Sequence, residues 1–546
     1  MYKAAEELPP LSPLLPRPSK TTHQEETIFA LANLHSFEMN TLTASNREKT
    51  IRNVFFNLAS QALILGTSFI TTPYIVNKLG ADSYGVVILL STILGYLSFL
   101  DLGLSGALAL YLTECASVCD WERFRRLLWS SLIFYASIGS IIISIFALLP
   151  SKAILHGINI PPNLHNAFKT AFFIGIAAWF VGFLTLPPHA ILWAYHRLDI
   201  TSFLALINGV LQPILTVIAL FLGYGLVGVS IATLLTHVTV LITTIWMSIR
   251  LHRSWGKPIW DPQSLKPLFR YGSWLTLAQV VTQVVGSLDK ILIGTYLSPA
   301  SVGYYNISTS LPLKLWIIHG AFVSSAFPLI VSLKAHSASS AEVFHLVSRF
   351  AKSILLLLLP FALFFIFFGH TFLSVWINET YARNGLFCIM LASVYSLISG
   401  FSNIFHALLR AWERPDLSTK VYLFTTLGYL PLLYVFVRWL GISGGALALV
   451  LFSVIELLLI LRFVKKIFKI KLSSWYSILL NRHFFILMII GGLLTLIQLF
   501  ASWNSFWKLS VLGGAFLLLS GSYVWFLGLS KYDRTSILQT FLKSST

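Results

Sequence analysis

Apolar positions in this chain do not alternate with polar ones; they run on. Fourteen nearly charge-free stretches stand out: 53–76, 84–112, 127–149, 168–194, 201–222, 226–249, 271–296, 302–331, 350–369, 385–409, 419–439, 442–461, 483–501 and 508–529. About 20 apolar residues in a helix cross ~30 Å of hydrocarbon, so each stretch predicts a transmembrane helix. The gaps between them are short and leave no room for a sizeable soluble domain. The two-residue alternation of an outer-membrane barrel is absent.

Two copies of one pattern lie along these runs. "HAILWAYHRLD" at 189–199 matches "HALLRAWERPD" at 406–416 at an offset of 217, pairing His189 with His406, Arg197 with Arg414 and Asp199 with Asp416. "NKLGADSYG" at 77–85 aligns with "TYLSPASVG" at 295–303 at an offset of 218, and Gly228 pairs with Gly445 at 217. Self-similarity at fixed spacing marks a structural repeat. Six spans per copy is an even number, so both copies enter the membrane from the same side. They are parallel repeats related by a pseudo-twofold axis along the membrane normal, which puts a substrate path at their interface. The expected fold is an all-α polytopic membrane protein of about fourteen helices. Its expected units are a disordered cytoplasmic tail (1–50), a six-helix bundle (51–250), a basic cytoplasmic linker (251–270), a second bundle (271–461), and a basic segment with two further helices (462–546).

Composition agrees. Hydrophobic residues make up 56% of the 546 and charged residues only 11%, against about 25% charged in soluble domains. The formal charge of +18 is distributed rather than clustered. With the N-terminus inside, 24 Lys and Arg fall in inner loops and the C-terminal tail, six in outer loops, six in the N-terminal tail and two, Lys290 and Lys314, within spans. This bias places both termini in the cytoplasm. No basic domain exists apart from the loops, which argues against nucleic acid as a partner. The segment "RFVKKIFKIKL" at 462–472 suits an anionic leaflet or serves as a topology anchor. Residues 1–50 are Pro-rich at "LPPLSPLLPRPSK" and lack the pattern of a signal peptide. Met39, before "MNTLTASNREKTIRNVFF", is a second candidate start. Cys115, Cys119 and Cys388 read as reduced structural thiols, and no Cys or His cluster of metal-binding size joins them.

The first hairpin, with "LGADSYG" (79–85) and "DLGL" (101–104), together with "DKILIGTYLSPASVGYY" (289–305) and "ALLRAWERPDL" (407–417), resembles the polysaccharide transporter family. These are lipid-linked oligosaccharide flippases of bacterial O-antigen and capsule export, relatives of multidrug and toxin extrusion transporters. The resemblance runs from about residue 51 to the end. It implies two bundles of six helices around a central cavity, an inner-membrane location, a polyprenyl-linked glycan as substrate, and polymerase or assembly proteins as partners. Its motifs are structural and do not specify the glycan.

Ionisable groups within spans cost about 2.5–3.5 kcal/mol at mid-helix and mark functional candidates. Lys314 lies near the middle of span eight, two residues after Pro312, which loosens the helix there. It either holds a phosphate in transit or pairs with a carboxylate for packing. Asp101 and His319 occupy equivalent positions in the second helix of each half. Asp101 begins "DLGL", where glycines permit close helix packing, and His319 is either a titrating group or a hydrogen-bonded core histidine. Asp289 and Lys290 are neighbours about 100° apart on a helix and do not face each other. Lys290 can snorkel, while Asp289 needs a partner, in a coupling-ion or a packing network. His189, His406 and the two Arg–Asp pairs form a gate or hinge built twice, or twin helix-end caps. Glu114 and Glu456, toward inner ends, read as solvated or snorkelling. No P-loop, HExxH or GxSxG motif is present, so neither an ATPase nor a hydrolase is expected, and no cofactor or metal is implied. The sequon at Asn378 falls in an outer loop. An ion-coupled exporter of small amphiphiles is the competing function, separated by its cavity: carboxylates and apolar walls for the exporter, cations and polar aromatics for the flippase.

Overall fold

The computed structural model describes residues 44–148, 159–251, 255–336, 339–468, 482–500 and 504–528. The expected N-terminal tail lies outside the described residues except for Ala44–Thr50, which already belong to the first helix. Most of the basic stretch 462–472 is the end of a helix that runs to Phe468, and its remainder is outside the described residues.

All described regular structure is helical. In chain order the helices are α1 (Ala44–Tyr96), α2 (Leu104–Ser117), α3 (Trp121–Leu148), α4 (His165–Leu184), α5 (Leu186–Ala194), α6 (Leu198–Phe221) and α7 (Gly225–Leu251) in the first half. The second half has α8 (Leu265–Tyr296), α9 (Pro299–Lys314), α10 (Trp316–Ala335), α11 (Ser340–Trp376), α12 (Glu379–Ala411), α13 (Pro415–Leu440) and α14 (Ile442–Phe468). Two more follow, α15 (Arg482–Phe500) and α16 (Gly514–Tyr523). Among the described residues, eleven segments are long and apolar enough to cross a membrane. One of the eleven, Ala59–Asp101, contains two helices joined at Gly80, whose φ of 77° lies in the left-handed region. Large apolar side chains such as Ile70, Phe221, Trp439 and Phe500 point outward and are more than three-quarters exposed, as a surface solvated by lipid requires.

The duplication seen in sequence is present in three dimensions. α1 packs on α6, α4 on α7 and α6 on α7; the corresponding pairs α8–α13, α12–α14 and α13–α14 pack in the second half. The second span breaks in both halves at matching places: through a 3-10 turn at Leu97–Asp101, and at Leu315 between α9 and α10. The expected uninterrupted run 84–112 is therefore two pieces. The fourth span breaks only in the first half, where Pro187 and Pro188 stand just after Thr185; α12 has no proline there and continues unbroken. α15 and α16 lie against α11, with Phe367 and Phe368 facing Phe516.

The halves meet at two levels. Near Gly80, a side chain at Gly85 would collide with the Pro299 carbonyl, and Asn77 donates to the Ile377 carbonyl at 3.1 Å. Toward the other end, the Gly103 backbone (φ 67°) lies directly on that of Gly272. Glycine is required at both contacts because backbone meets backbone there. Gly85→Val is expected to cost about 1–3 kcal/mol by overpacking, read as a lower unfolding midpoint in detergent. Gly492→Ala, which meets open space, is expected to leave the midpoint unchanged.

Candidate functional site

Two cavities lie beside the places where the second spans break. The first, about 470 Å³, lies between α1, the α9–α10 break and α11. Its polar wall carries Ser68, Thr72, Ser310 and Lys314, and its apolar wall carries Phe69, Phe361, Phe365 and Trp376. α1 belongs to one half and α9–α11 to the other, so this cleft is an opening in the seam between them. Lys314 ends α9, where Pro312 interrupts the helix, and the carbonyl of Pro312 accepts from the Ser396 hydroxyl on α12 at 2.7 Å. No carboxylate among the described residues forms an ion pair with Lys314. The expected packing pair with a carboxylate is therefore not seen among the described residues.

The second cavity, about 730 Å³, is lined by the α1–α2 break, α4–α5, α7 and α8. Asp101 is buried at its edge. The Asp101 carboxylate accepts from the Ser105 amide at 3.1 Å, the Ser105 hydroxyl at 2.8 Å and the Tyr135 phenol. These bonds span the place where the helix breaks. Burial of a carboxylate without such donors costs far more than they leave here.

His319, the repeat partner of Asp101, does not hydrogen-bond as a core histidine was expected to. Both ring nitrogens are buried without a partner, and the ring packs edge-on against Trp316 at 4.8 Å. Asp289 is buried and finds the partner it needs: Tyr305 donates to Oδ2 at 2.6 Å, and the Lys290 amide donates to Oδ1 at 2.8 Å. Lys290 turns its Nζ to the Gly286 carbonyl at 3.1 Å. Each half thus buries one carboxylate under a tyrosine, but Asp101 and Asp289 are not repeat partners.

The paired turns are true copies. His196 and Glu413 both adopt left-handed φ, 53° and 58°. The Arg197 and Arg414 amides donate back to Leu192 and Leu409, each at 2.9 Å. Arg197 then clasps Asp199 with two bonds of 2.9 and 2.8 Å, and Arg414 clasps Asp416 with 3.1 and 3.3 Å. His189 and His406, expected to act alike, differ. His406 is buried and bonds Ser418 Oγ and Glu456 Oε1, both at 2.8 Å, with Tyr422 stacked on its ring at 4.2 Å. His189 has neither bond, and Thr201 and Thr239 stand where Ser418 and Glu456 would be. The expectation that Glu456 is solvated is wrong. It is 4% exposed, because α14 turns it inward onto α12, where His406 and Ser402 receive it. Glu114 is solvated as expected, exposed and 3.3 Å from Arg123. Its distance of fifty residues from His406 hid the partnership of Glu456, which an apolar-run reading does not detect.

The described residues hold no cluster of three or more potential metal ligands. In the cytoplasm-facing loop of the sequence reading, the Ser264 hydroxyl holds the Asp261 carboxyl below the usual carboxylate range. The Asp261 amide donates to Ser130 at 2.9 Å and Trp129 donates to the Trp255 carbonyl at 2.7 Å, so the linker is fastened to α3 of the first half.

Breaking one member of the His406–Glu456 pair leaves a buried polar group unmatched. Glu456→Leu is expected to lose about 1–3 kcal/mol, and His406→Leu combined with it to recover part of that loss. Thermal midpoints of the three variants measure this.

Comparison with known proteins agrees with this architecture. Residues 76–384 match the family model described as "Polysaccharide biosynthesis protein". A Shigella flexneri protein assigned to O-antigen transport is 21% identical over 418 residues, 75% of this chain and 96% of that one. Among solved structures, the lipid II flippase MurJ in an inward closed conformation superposes with a TM-score of 0.66 at 17% identity, covering 87% of this chain and 99% of that one. An inward-facing multidrug resistance MATE family transporter of the MOP superfamily gives 0.63 at 14% identity, covering 76% and 98%. The chain shares the two-lobed helical fold of these two solved structures, and by its matched sequence it belongs to the polysaccharide biosynthesis protein family.

Proposed function

We propose that the chain is a flippase that moves a polyprenyl-(pyro)phosphate-linked oligosaccharide from the inner to the outer leaflet for cell-surface polysaccharide synthesis. The observation that carries this is Lys314. It stands where the span breaks at the end of α9, has no carboxylate partner among the described residues, and shares a seam cleft with Phe69, Phe361, Phe365 and Trp376. An ammonium in a low-dielectric cleft attracts a phosphate strongly, and the aromatic wall suits the first isoprene units. The remaining lipid stays in the bilayer while the head crosses. The family match and the MurJ-like fold support the same reading.

In this reading the protein lies in the inner membrane with both termini in the cytoplasm, which the excess of basic residues in the inner loops supports. In this reading the twin Arg–Asp turns are the points about which the halves pivot, and the buried Asp289 network and the His406–Glu456 pair are candidates for ion coupling. Asp101 among aromatic side chains favours the alternative, an exporter of organic cations, because carboxylate and aromatic faces are the chemistry such ligands need.

Lys314→Ala is expected to abolish outward movement of the lipid-linked glycan, leaving it protected on the inner leaflet, with expression and unfolding midpoint unchanged. Lys314→Arg is expected to retain part of the activity. The assay is accessibility of the glycan to an impermeant lectin or oxidant on spheroplasts. Full transport by Lys314→Ala would refute the role.

A further inference from the structure

The 730 Å³ chamber, walled mostly by the first half and closed by Gln283 of α8, has no Lys or Arg among its described lining residues, so it does not suit the phosphate. Its polar atoms are mainly acceptors. Asp101 lines it: Oδ1 is filled by the Ser105 amide and the Tyr135 phenol, while Oδ2 accepts only the Ser105 hydroxyl and keeps a lone pair. His237 lies 2.7 Å from the Ala178 carbonyl through Nδ1. A carbonyl only accepts, so Nδ1 donates to it, and in that tautomer Nε2 is an acceptor. Gln283 uses its NH₂ on Ser287 at 3.3 Å, which leaves its carbonyl oxygen. Ser98 adds an exposed hydroxyl.

These acceptors surround an aromatic floor. Trp179 stacks on Phe183 with centroids 4.9 Å apart and planes 21° apart, and Tyr135 backs Phe183 at 4.6 Å. Trp179 is only partly buried and lines the chamber. A pyranose presents hydroxyl donors around its rim and a patch of C–H bonds on its face. Convergent acceptors around a rigid aromatic plate match both. The volume falls within the usual range for small-ligand sites, about 300–1,000 Å³.

We propose that this chamber is a pyranose-binding subsite, with Trp179 as the stacking plate and Asp101, His237 and Gln283 as hydroxyl acceptors. It rests on the flippase reading above and gives the glycan head a station apart from the Lys314 cleft. Phosphate and sugar are held in different cavities because one needs a cation and the other needs acceptors and a flat apolar face.

The test is saturation-transfer NMR on the full chain in lipid nanodiscs. The probes are methyl glycosides of hexoses, 6-deoxyhexoses and N-acetylhexosamines, with tetraphenylphosphonium as competitor. At least one glycoside is expected to receive saturation on its ring C–H protons. The signal is expected to fall about fivefold in Trp179→Leu, the size of one lost aromatic contact, and to fall in Gln283→Leu. It is expected to persist in Trp179→Phe, which keeps a ring if the Leu variant does not fold, and in Lys314→Ala. Three outcomes overturn the subsite: silence from every glycoside with wild-type protein, an unchanged signal in both Trp179→Leu and Gln283→Leu, or displacement of all glycosides by tetraphenylphosphonium at equal concentration. The leaflet assay separates this from the flippase reading. Flipping without glycoside binding removes the subsite alone, and glycoside binding without flipping removes the transport function alone.

Discussion

Hydrocarbon offers no hydrogen bonds, so the backbone groups freed where a helix breaks at membrane depth must be satisfied inside the protein or in a cavity. That constraint organises the places where the helices stop being regular. At the first break the Asp101 carboxylate takes the Ser105 amide, and at the second the Ser396 hydroxyl takes the Pro312 carbonyl. Each interruption is bridged by a side chain, and each lines a cavity. The cavities exist because the helices break, and the breaks are tolerated because polar side chains stand beside them.

The same constraint separates the two cavities chemically. A buried carboxylate supplied with hydroxyl and amide donors is stable, as Asp101 and Asp289 show, each under a tyrosine. Lys314 is different. It has no such counterpart among the described residues and sits where the seam is open. The halves are in contact near Gly85 and Pro299 and again at Gly103 and Gly272, where glycine lets backbone approach backbone without side chains in the way.

Duplication accounts for the frame but not for the chemistry laid on it. The turns at His196 and Glu413 repeat to within a few degrees of φ, and the Arg–Asp clasps repeat with them. The His406–Ser418–Glu456 cluster has no copy, since the first half carries Thr201 and Thr239 at those positions. Asp101 corresponds to His319 in the repeat, a hydrogen-bonded carboxylate in one half and, in the other, an imidazole without a hydrogen bond among the described residues. Backbone geometry is set by local turns and helix packing and survives divergence. Side chains that face a cavity are free to change once each half has its own task.

Apolar runs long enough to cross a membrane, the 217-residue repeat and the excess of basic loops are linear properties, and all three were legible from residue order. So were the Arg–Asp clasps, which close within two residues, and the interruption at Pro312, which acts on its own helix. The rest depends on which face of each helix meets which neighbour. Hydropathy treats a span that is apolar all round as having no preferred face, so Glu456 read as solvated while α14 turned it onto His406 fifty residues away. The chamber around Trp179 draws its walls from four separated segments, and no spacing along the chain encodes that. Packing brought those walls together, because in lipid the fit of side chains and the pairing of polar groups, rather than burial of apolar area, choose among helix arrangements.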